Sequence, residues 1–214
     1  DVEISIGRHI AEMVPDGATI QLGIGGIPNA VGKFLMDKRD LGVHSEMLTN
    51  CMLDLYKAGV ITCAKKTFMP YKWVGSFAWG SQELYDFIHE NPMIEMHTCG
   101  FVNNPYIIAK NDNMISVNST LQIDLTGQCA SEAFGPYQYS GVGGQADFVQ
   151  GAWLSKGGKS FIATPSTTRG KDGKLISKIV PLLDYGSFVS TPRTETHWVV
   201  TEYGAVLLKG QSIR

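Results

Sequence analysis

Three consecutive pieces near the start of the chain constrain the fold most: an amphipathic run, a short apolar run and a glycine pair. Val2, Ile6, Ile10 and Met13 recur at helical spacing, so residues 2–14 are predicted to form a helix with one buried face. Asp16-Gly17 turns the chain. Ala18-Thr-Ile-Gln-Leu-Gly-Ile24 then reads as a buried strand, broken by Gly25-Gly26. Pro28 stands where a first helical turn tolerates proline, and a helix runs from there to about Met36. The unit is helix, strand, glycine loop, helix.

The same alternation continues. Residues 40–45 read as a short strand ending in polar side chains, and Thr49 or Asn50 caps a helix through Tyr56 that Gly59 stops. Ser81 caps another helix through Tyr85 and Ile88, and residues 94–98 return to strand. From Met114 the period becomes two, with Ile115 and Val117, then Leu121, Ile123 and Leu125. A glycine-rich stretch over 127–144 leads into a short helix at 148–154; residues 161–163 and 198–200 are further strands. Strands alternating with helices predict an α/β domain with a mainly parallel open sheet flanked by helices. The polar Asp172-Gly173 turn and the later strands predict some antiparallel pairing. In such sheets ligands bind beyond the carboxyl ends of the strands.

Composition narrows the function. With 214 residues, 43% hydrophobic and 18% charged, the chain can bury a sizeable core, and it is read as a single domain over 1–214. A net charge of −2, with both signs interspersed, speaks against a nucleic-acid partner. Cys51, Cys63, Cys99 and Cys129 form no C-x-x-C pair, which fits a reducing, cytoplasmic setting without disulfides. His9, His44, His89, His97 and His197 are equally dispersed, so no metal site is expected. No apolar run suits a bilayer and no signal peptide precedes the first helix, so no membrane partner is expected. The chain opens on Asp1 within a helical pattern, which is expected of a processed chain or a fragment.

Four segments could carry chemistry. Gly23-Ile-Gly-Gly-Ile-Pro28 joins a strand to a helix, where backbone N–H groups favour negative charge and glycines admit close approach. It is neither a G-x-G-x-x-G fingerprint nor a P-loop, and reads equally well as a tight turn with no ligand. Glu46 lies at a strand end among Val43, Met47 and Leu48; taken alone it is more simply a surface carboxylate or a helix-start charge. Ser140-Gly-Val-Gly-Gly-Gln-Ala-Asp-Phe148 is a second glycine loop opening a helix. Two such loops in one α/β domain point to a phosphate- or nucleotide-bearing ligand more than either does singly. Thr201-Glu-Tyr-Gly204 is, by itself, a solvated strand end.

Together these segments resemble the acetyl-CoA hydrolase/transferase family, a class I coenzyme A transferase group that includes 4-hydroxybutyrate and butyrate CoA-transferases. The resemblance rests on Leu22-Gly-Ile-Gly-Gly-Ile-Pro-Asn-Ala30, Asp40-Leu-Gly-Val-His-Ser-Glu-Met47, Val117-Asn-Ser-Thr-Leu-Gln-Ile-Asp-Leu-Thr-Gly-Gln128, Gly141-Val-Gly-Gly-Gln-Ala-Asp-Phe148 and Val199-Val-Thr-Glu-Tyr-Gly204, in family order across nearly the whole chain. It covers the carboxy-terminal half of the family. It implies a NagB/RpiA/CoA-transferase-like fold and a CoA site shared with an amino-terminal half; the surface that faces that half is expected to be apolar and to favour a homo-oligomer.

By the same resemblance Glu46 is the nucleophile, with Asn103 and Glu202 near it. Gly23, Ile24, Gly25, Gly26 and Ile27 meet the thioester, while Gly141, Gly143, Gly144 and Lys159 hold CoA. CoA is then both substrate and covalent intermediate, exchanged between an acyl-CoA and a small carboxylate by ping-pong kinetics with no metal. The alternatives are an acyl-CoA hydrolase using the same glutamate and, third, a non-catalytic CoA-binding module.

Overall fold

In the computed structural model, which describes residues 2–23, 25–170 and 172–212, helices cover both faces of one six-stranded sheet. Its strands are β1 (Thr19–Leu22), β2 (Gly42–Val43), β3 (Met114–Ser119), β4 (Lys159–Ala163), β5 (Trp198–Thr201) and β6 (Gly204–Leu207), in the spatial order β6-β5-β4-β3-β1-β2. All neighbours are parallel except the β5–β6 hairpin, so the predicted α/β class with a mainly parallel sheet is the observed one. Helices are α1 (Val2–Glu12), α2 (Gly26–Phe34), α3 (Asn50–Lys57), α4 (Gln82–Ile88), α5 (Cys99–Val102), α6 (Pro105–Ile108) and α7 (Gln145–Leu154).

Alternation along each strand supplies two cores, because successive side chains leave opposite faces. Ile20, Leu22, Val117, Phe161, Ala163 and Val200 share one cluster with Ile6 and Ile10 of α1 and Val31 of α2. Ile162 and Val199, each one residue out of step, pack instead with Val149 of α7. On the first face α1 crosses α2 closely: a Cβ on Gly7 would stand 2.8 Å from the Ala30 carbonyl carbon. Only glycine lets the two backbones approach this far.

Beyond β2 the sheet splits. His44 bridges to Val74, in a parallel pair made of Trp73–Gly75 and Ile94–Met96. A few residues on, Met47–Thr49 pairs in parallel with Phe77–Trp79. The predicted strand over 40–45 thus reduces to β2 and a bridge, while the strands at 73–79 and the short helices α5 and α6 escaped prediction. Thr49 and Ser81 do occupy N-cap positions, but neither side chain makes a capping bond; Asn104, ahead of Pro105, does, accepting from the Tyr106 N–H. The Asp172-Gly173 turn joins the antiparallel strands Thr167–Arg169 and Leu175–Ser177. Among the described residues no helix is long and apolar enough to cross a membrane, and no group of three or more His, Cys, Asp or Glu could hold a metal ion. All four cysteines are free.

Candidate active site

The chain leaves β1, β3 and β4 at the same edge of the sheet, and the two glycine loops meet Glu46 there. Glu46 sits where the sheet splits, and its backbone is held from both sides. The Ser45 N–H donates to the Val74 carbonyl at 3.0 Å; the Glu46 carbonyl accepts from the Ser76 and Phe77 N–H groups at 2.9 and 3.2 Å. These bonds fix the backbone from which the Glu46 side chain starts. It faces a cavity of about 310 Å³ lined by Gly23, Glu46, Met47, Phe77, Ser140, Val142 and Gly144 among others.

Asn103, at the end of α5, reaches the same place. A Cβ on Gly144 would stand 2.7 Å from both Asn103 Nδ2 and Glu46 Oε2. The backbone of Gly144 (φ −92°, ψ 8°) would suit any residue, so glycine is required here by space alone. Asn103 Oδ1 is buried with no hydrogen-bond partner. Gly144 is also the N-cap of α7, and Gln145 locks that helix start by donating to Ser131 Oγ (2.8 Å) and Thr191 Oγ1 (3.0 Å). Asp147, in the first turn of α7, is held above the usual carboxylate range by burial and then by the charge of Glu46.

The first glycine loop approaches from β1. Gly23 and Met47 line the Glu46 cavity and also a second cavity of about 270 Å³, lined as well by Gly25, Asn29, Cys51 and Trp79. Gly25 is the N-cap of α2 at φ 120°, ψ −175°, a conformation open essentially to glycine alone. Gly26 and Ile27 form the first turn of α2, where N–H groups lack partners within the helix. The Glu3 side chain rests against Gly26, beside that turn. Ile24 lies outside the described residues. Gly141 and Gly143 are exposed in the loop before α7, with Gly143 at φ 60°.

Two expected residues are placed elsewhere. Lys159 is the first residue of β4, and its Nζ donates to the Met13 carbonyl at 2.7 Å, toward the amino ends of the strands. Lys159 thus stands, as the first residue of its strand, at the edge opposite the one where Glu46 and the glycine loops gather. Glu202 follows β5 at the right edge, but its carboxylate accepts from the Ser166 N–H (2.8 Å) and Ser166 Oγ (2.5 Å). Burial alone would raise the Glu202 carboxyl, but these bonds outweigh it and hold it below its ordinary value. β5 and β2 are separated by three strands in the sheet, and the bonds of Glu202 to Ser166 brace the loop after β4.

Other residues join the site without having been singled out. Gln21 and Asn118 line the Glu46 cavity and pair amide to amide, with both bonds at 3.3 Å. His44 and Asp147 stand inside the two motifs that flagged Glu46 and Gly144. Their positions were visible in the chain, whereas their contacts depend on how α5 and α7 dock.

Known proteins resemble this chain in sequence and in fold. A family model described as the acetyl-CoA hydrolase/transferase C-terminal domain matches residues 80–214. The chain is 55% identical, over all of its length and 49% of the relative's, to a 4-hydroxybutyrate coenzyme A transferase of Clostridium kluyveri. It superposes on the crystal structure of RipA from Yersinia pestis with a TM-score of 0.90 at 48% identity, covering 99% of this chain and 47% of that one. A 4-hydroxybutyrate CoA-transferase from Porphyromonas gingivalis gives a TM-score of 0.84 at 44% identity, covering all of this chain and 49% of that one. The chain thus spans about half the length of the relatives it matches.

Proposed function

Because the chain belongs to the acetyl-CoA hydrolase/transferase family, we propose that it is the glutamate-bearing half of a CoA-transferase, in which Glu46 carries CoA between two half-reactions. The observation that carries this reading is the convergence of Glu46, Asn103 and Gly144 at one point, in a cavity that Gly23 also lines.

The Glu46 carboxylate attacks the thioester carbonyl of an acyl-CoA and expels the CoA thiolate, leaving an acyl-glutamyl anhydride. The thiolate attacks the glutamyl carbonyl and releases the acyl group as a carboxylate, giving a glutamyl-CoA thioester. An incoming carboxylate reverses both steps and leaves with the CoA. One thioester replaces another, so the exchange needs no separate energy source, and dividing it in two makes each half easier. Negative charge collects on the former carbonyl oxygen at each attack. The N–H groups at the start of α2 and the Asn103 amide are the donors at hand. Asp147, whose carboxyl pKa is raised by burial and then by the charge of Glu46, lies beside this site in the first turn of α7.

The substrates proposed are a short-chain acyl-CoA, of the 4-hydroxybutyryl, butyryl or acetyl type, and a small carboxylate, in keeping with the relatives' names. The single domain over 1–214 works with an amino-terminal half that completes the CoA site and excludes water from the anhydride. Hydrolysis is the outcome where water takes the acceptor's place. The test uses the complete enzyme containing this chain: incubate with acyl-CoA and map peptides by mass spectrometry. A CoA adduct on Glu46, ping-pong kinetics and a loss of several orders of magnitude in Glu46→Ala are expected. An adduct elsewhere, or a merely tenfold loss, refutes the assignment, and CoA release that is indifferent to acceptor carboxylate would make the enzyme a hydrolase.

A further inference from the structure

The steps above leave one fully buried polar side chain beside the site unused, the imidazole of His44. We propose that His44 is a positioning residue that holds the segment bearing Glu46 in register with the segment bearing Asn103, so that nucleophile and amide meet over Gly144. The inference rests on Glu46 being the nucleophile.

His44 is two residues before Glu46, and its backbone belongs to the sheet. Its N–H donates to the Ile20 carbonyl at 3.2 Å, and it bridges to Val74 on the other side. The ring leaves this rigid base and crosses to the α5–α6 segment. Nε2 lies 2.9 Å from the Val102 carbonyl, and Nδ1 lies 3.3 Å from Asn111 Nδ2. Val102 ends α5 and directly precedes Asn103; Asn111 lies just beyond α6. One side chain therefore ties down both ends of the segment that carries Asn103.

The chemistry of the partners fixes the ring's state. A carbonyl only accepts, so Nε2 carries the hydrogen. Asn111 Nδ2 only donates, and it also donates to the Ile108 carbonyl at 3.1 Å, so Nδ1 must be the bare acceptor. The Val102 carbonyl is one of the last in its helix and has no partner within it, and the imidazole satisfies it. Phe148 and Phe68 flank the ring, at centroid separations of 6.2 and 6.5 Å, and limit its rotation. The charged or titratable groups acting on it are Lys66 and His97; both favour the neutral ring, as burial does first. Among the described residues, these two bonds from His44 are the only hydrogen bonds, side-chain or backbone, between residues 43–47 and residues 99–111.

The experiment uses the complete enzyme. In His44→Phe, which keeps a buried ring and loses both bonds, kcat for CoA transfer should fall tenfold or more while KM for acyl-CoA stays within about threefold. His44→Gln, which can still donate to Val102, should recover part of the loss. In a double-mutant cycle with Asn103→Ala the two effects should be far from additive, because His44 acts through Asn103. A purely structural His44 would lower the melting temperature and the active fraction, leave kcat per titrated site unchanged, and add to Asn103→Ala independently; that result overturns the proposal. Should His44→Phe fail to fold, Asn111→Ala removes only the Nδ1 contact, and the same split between kcat and KM is expected of it. A crystal structure of the folded variant gives a readout apart from activity. Asn103 displaced from Glu46 by about 1 Å or more supports the proposal, and an unmoved Asn103 refutes it. If the wild-type enzyme forms no adduct on Glu46, the reading of the nucleophile fails, while the structure still decides what His44 positions.

Discussion

Gly144→Ala should separate activity from stability. A Cβ at this position would stand 2.7 Å from Asn103 Nδ2 and from Glu46 Oε2, with the Glu46 carboxyl carbon at 3.3 Å. Ordinary non-bonded contact is about 3.5 Å, so both groups must retreat by somewhat under about 1 Å. Misplacing reacting groups by about 1 Å costs roughly a hundredfold in rate, or about 2.7 kcal/mol of transition-state stabilisation. Stability should hardly change. The φ and ψ of Gly144 suit alanine, so restricting the unfolded chain stabilises by about 0.4–1 kcal/mol, and the poorer N-cap takes back a similar amount. The assay is the rate of glutamyl-CoA formation in the complete enzyme, followed by mass spectrometry, beside a urea titration of the same protein. The expected variant unfolds within about 1 kcal/mol of wild type and forms the adduct roughly a hundredfold more slowly. Wild-type adduct formation would show that Glu46 works somewhere other than against Gly144. A stability loss of several kcal/mol would make the glycine a folding requirement instead.

Other perturbations test separate parts of the structure. Burial, opposed by the bond to the Val102 carbonyl and aided by Lys66 and His97, lowers the His44 pKa from 6.5 to about 4, so its contribution is whole above pH 6.5 and is lost as pH falls toward 4. The stability advantage of wild type over His44→Phe should therefore shrink by about 2 kcal/mol between about pH 7.5 and pH 5, and an advantage that stays constant over that range contradicts a neutral buried ring. Gly25→Ala meets no atom within 4 Å but imposes φ 120° on a side-chain-bearing residue. It should lose about 1–3 kcal/mol in thermal or urea unfolding, and an unchanged midpoint would mean the loop relaxes freely. Lys159→Met, which frees the Met13 carbonyl, should cost roughly 1 kcal/mol of stability and leave KM for acyl-CoA unchanged. A tenfold rise in that KM would return Lys159 to the CoA site.

What the chain could determine by itself was whatever its local pattern encodes. Helical spacing in residues 2–14, the apolar run of β1 and the break at Gly25-Gly26 specify a helix–strand–loop–helix unit, because side-chain periodicity follows backbone geometry directly. Glu46 and the two glycine loops were legible through the combination of motifs, each of which alone reads as a turn or a surface charge. Tertiary structure decided what those residues face. Lys159 and Glu202 are charged residue types as Glu46 is, yet Lys159 starts its strand and bonds Met13 at the amino edge, while Ser166 engages Glu202. Asn103 meets Glu46 across 57 positions of chain because α5, α6 and α7 dock on the split sheet, and His44 holds that docking from behind. Contacts between distant segments depend on packing of whole elements, and no spacing along the chain records it.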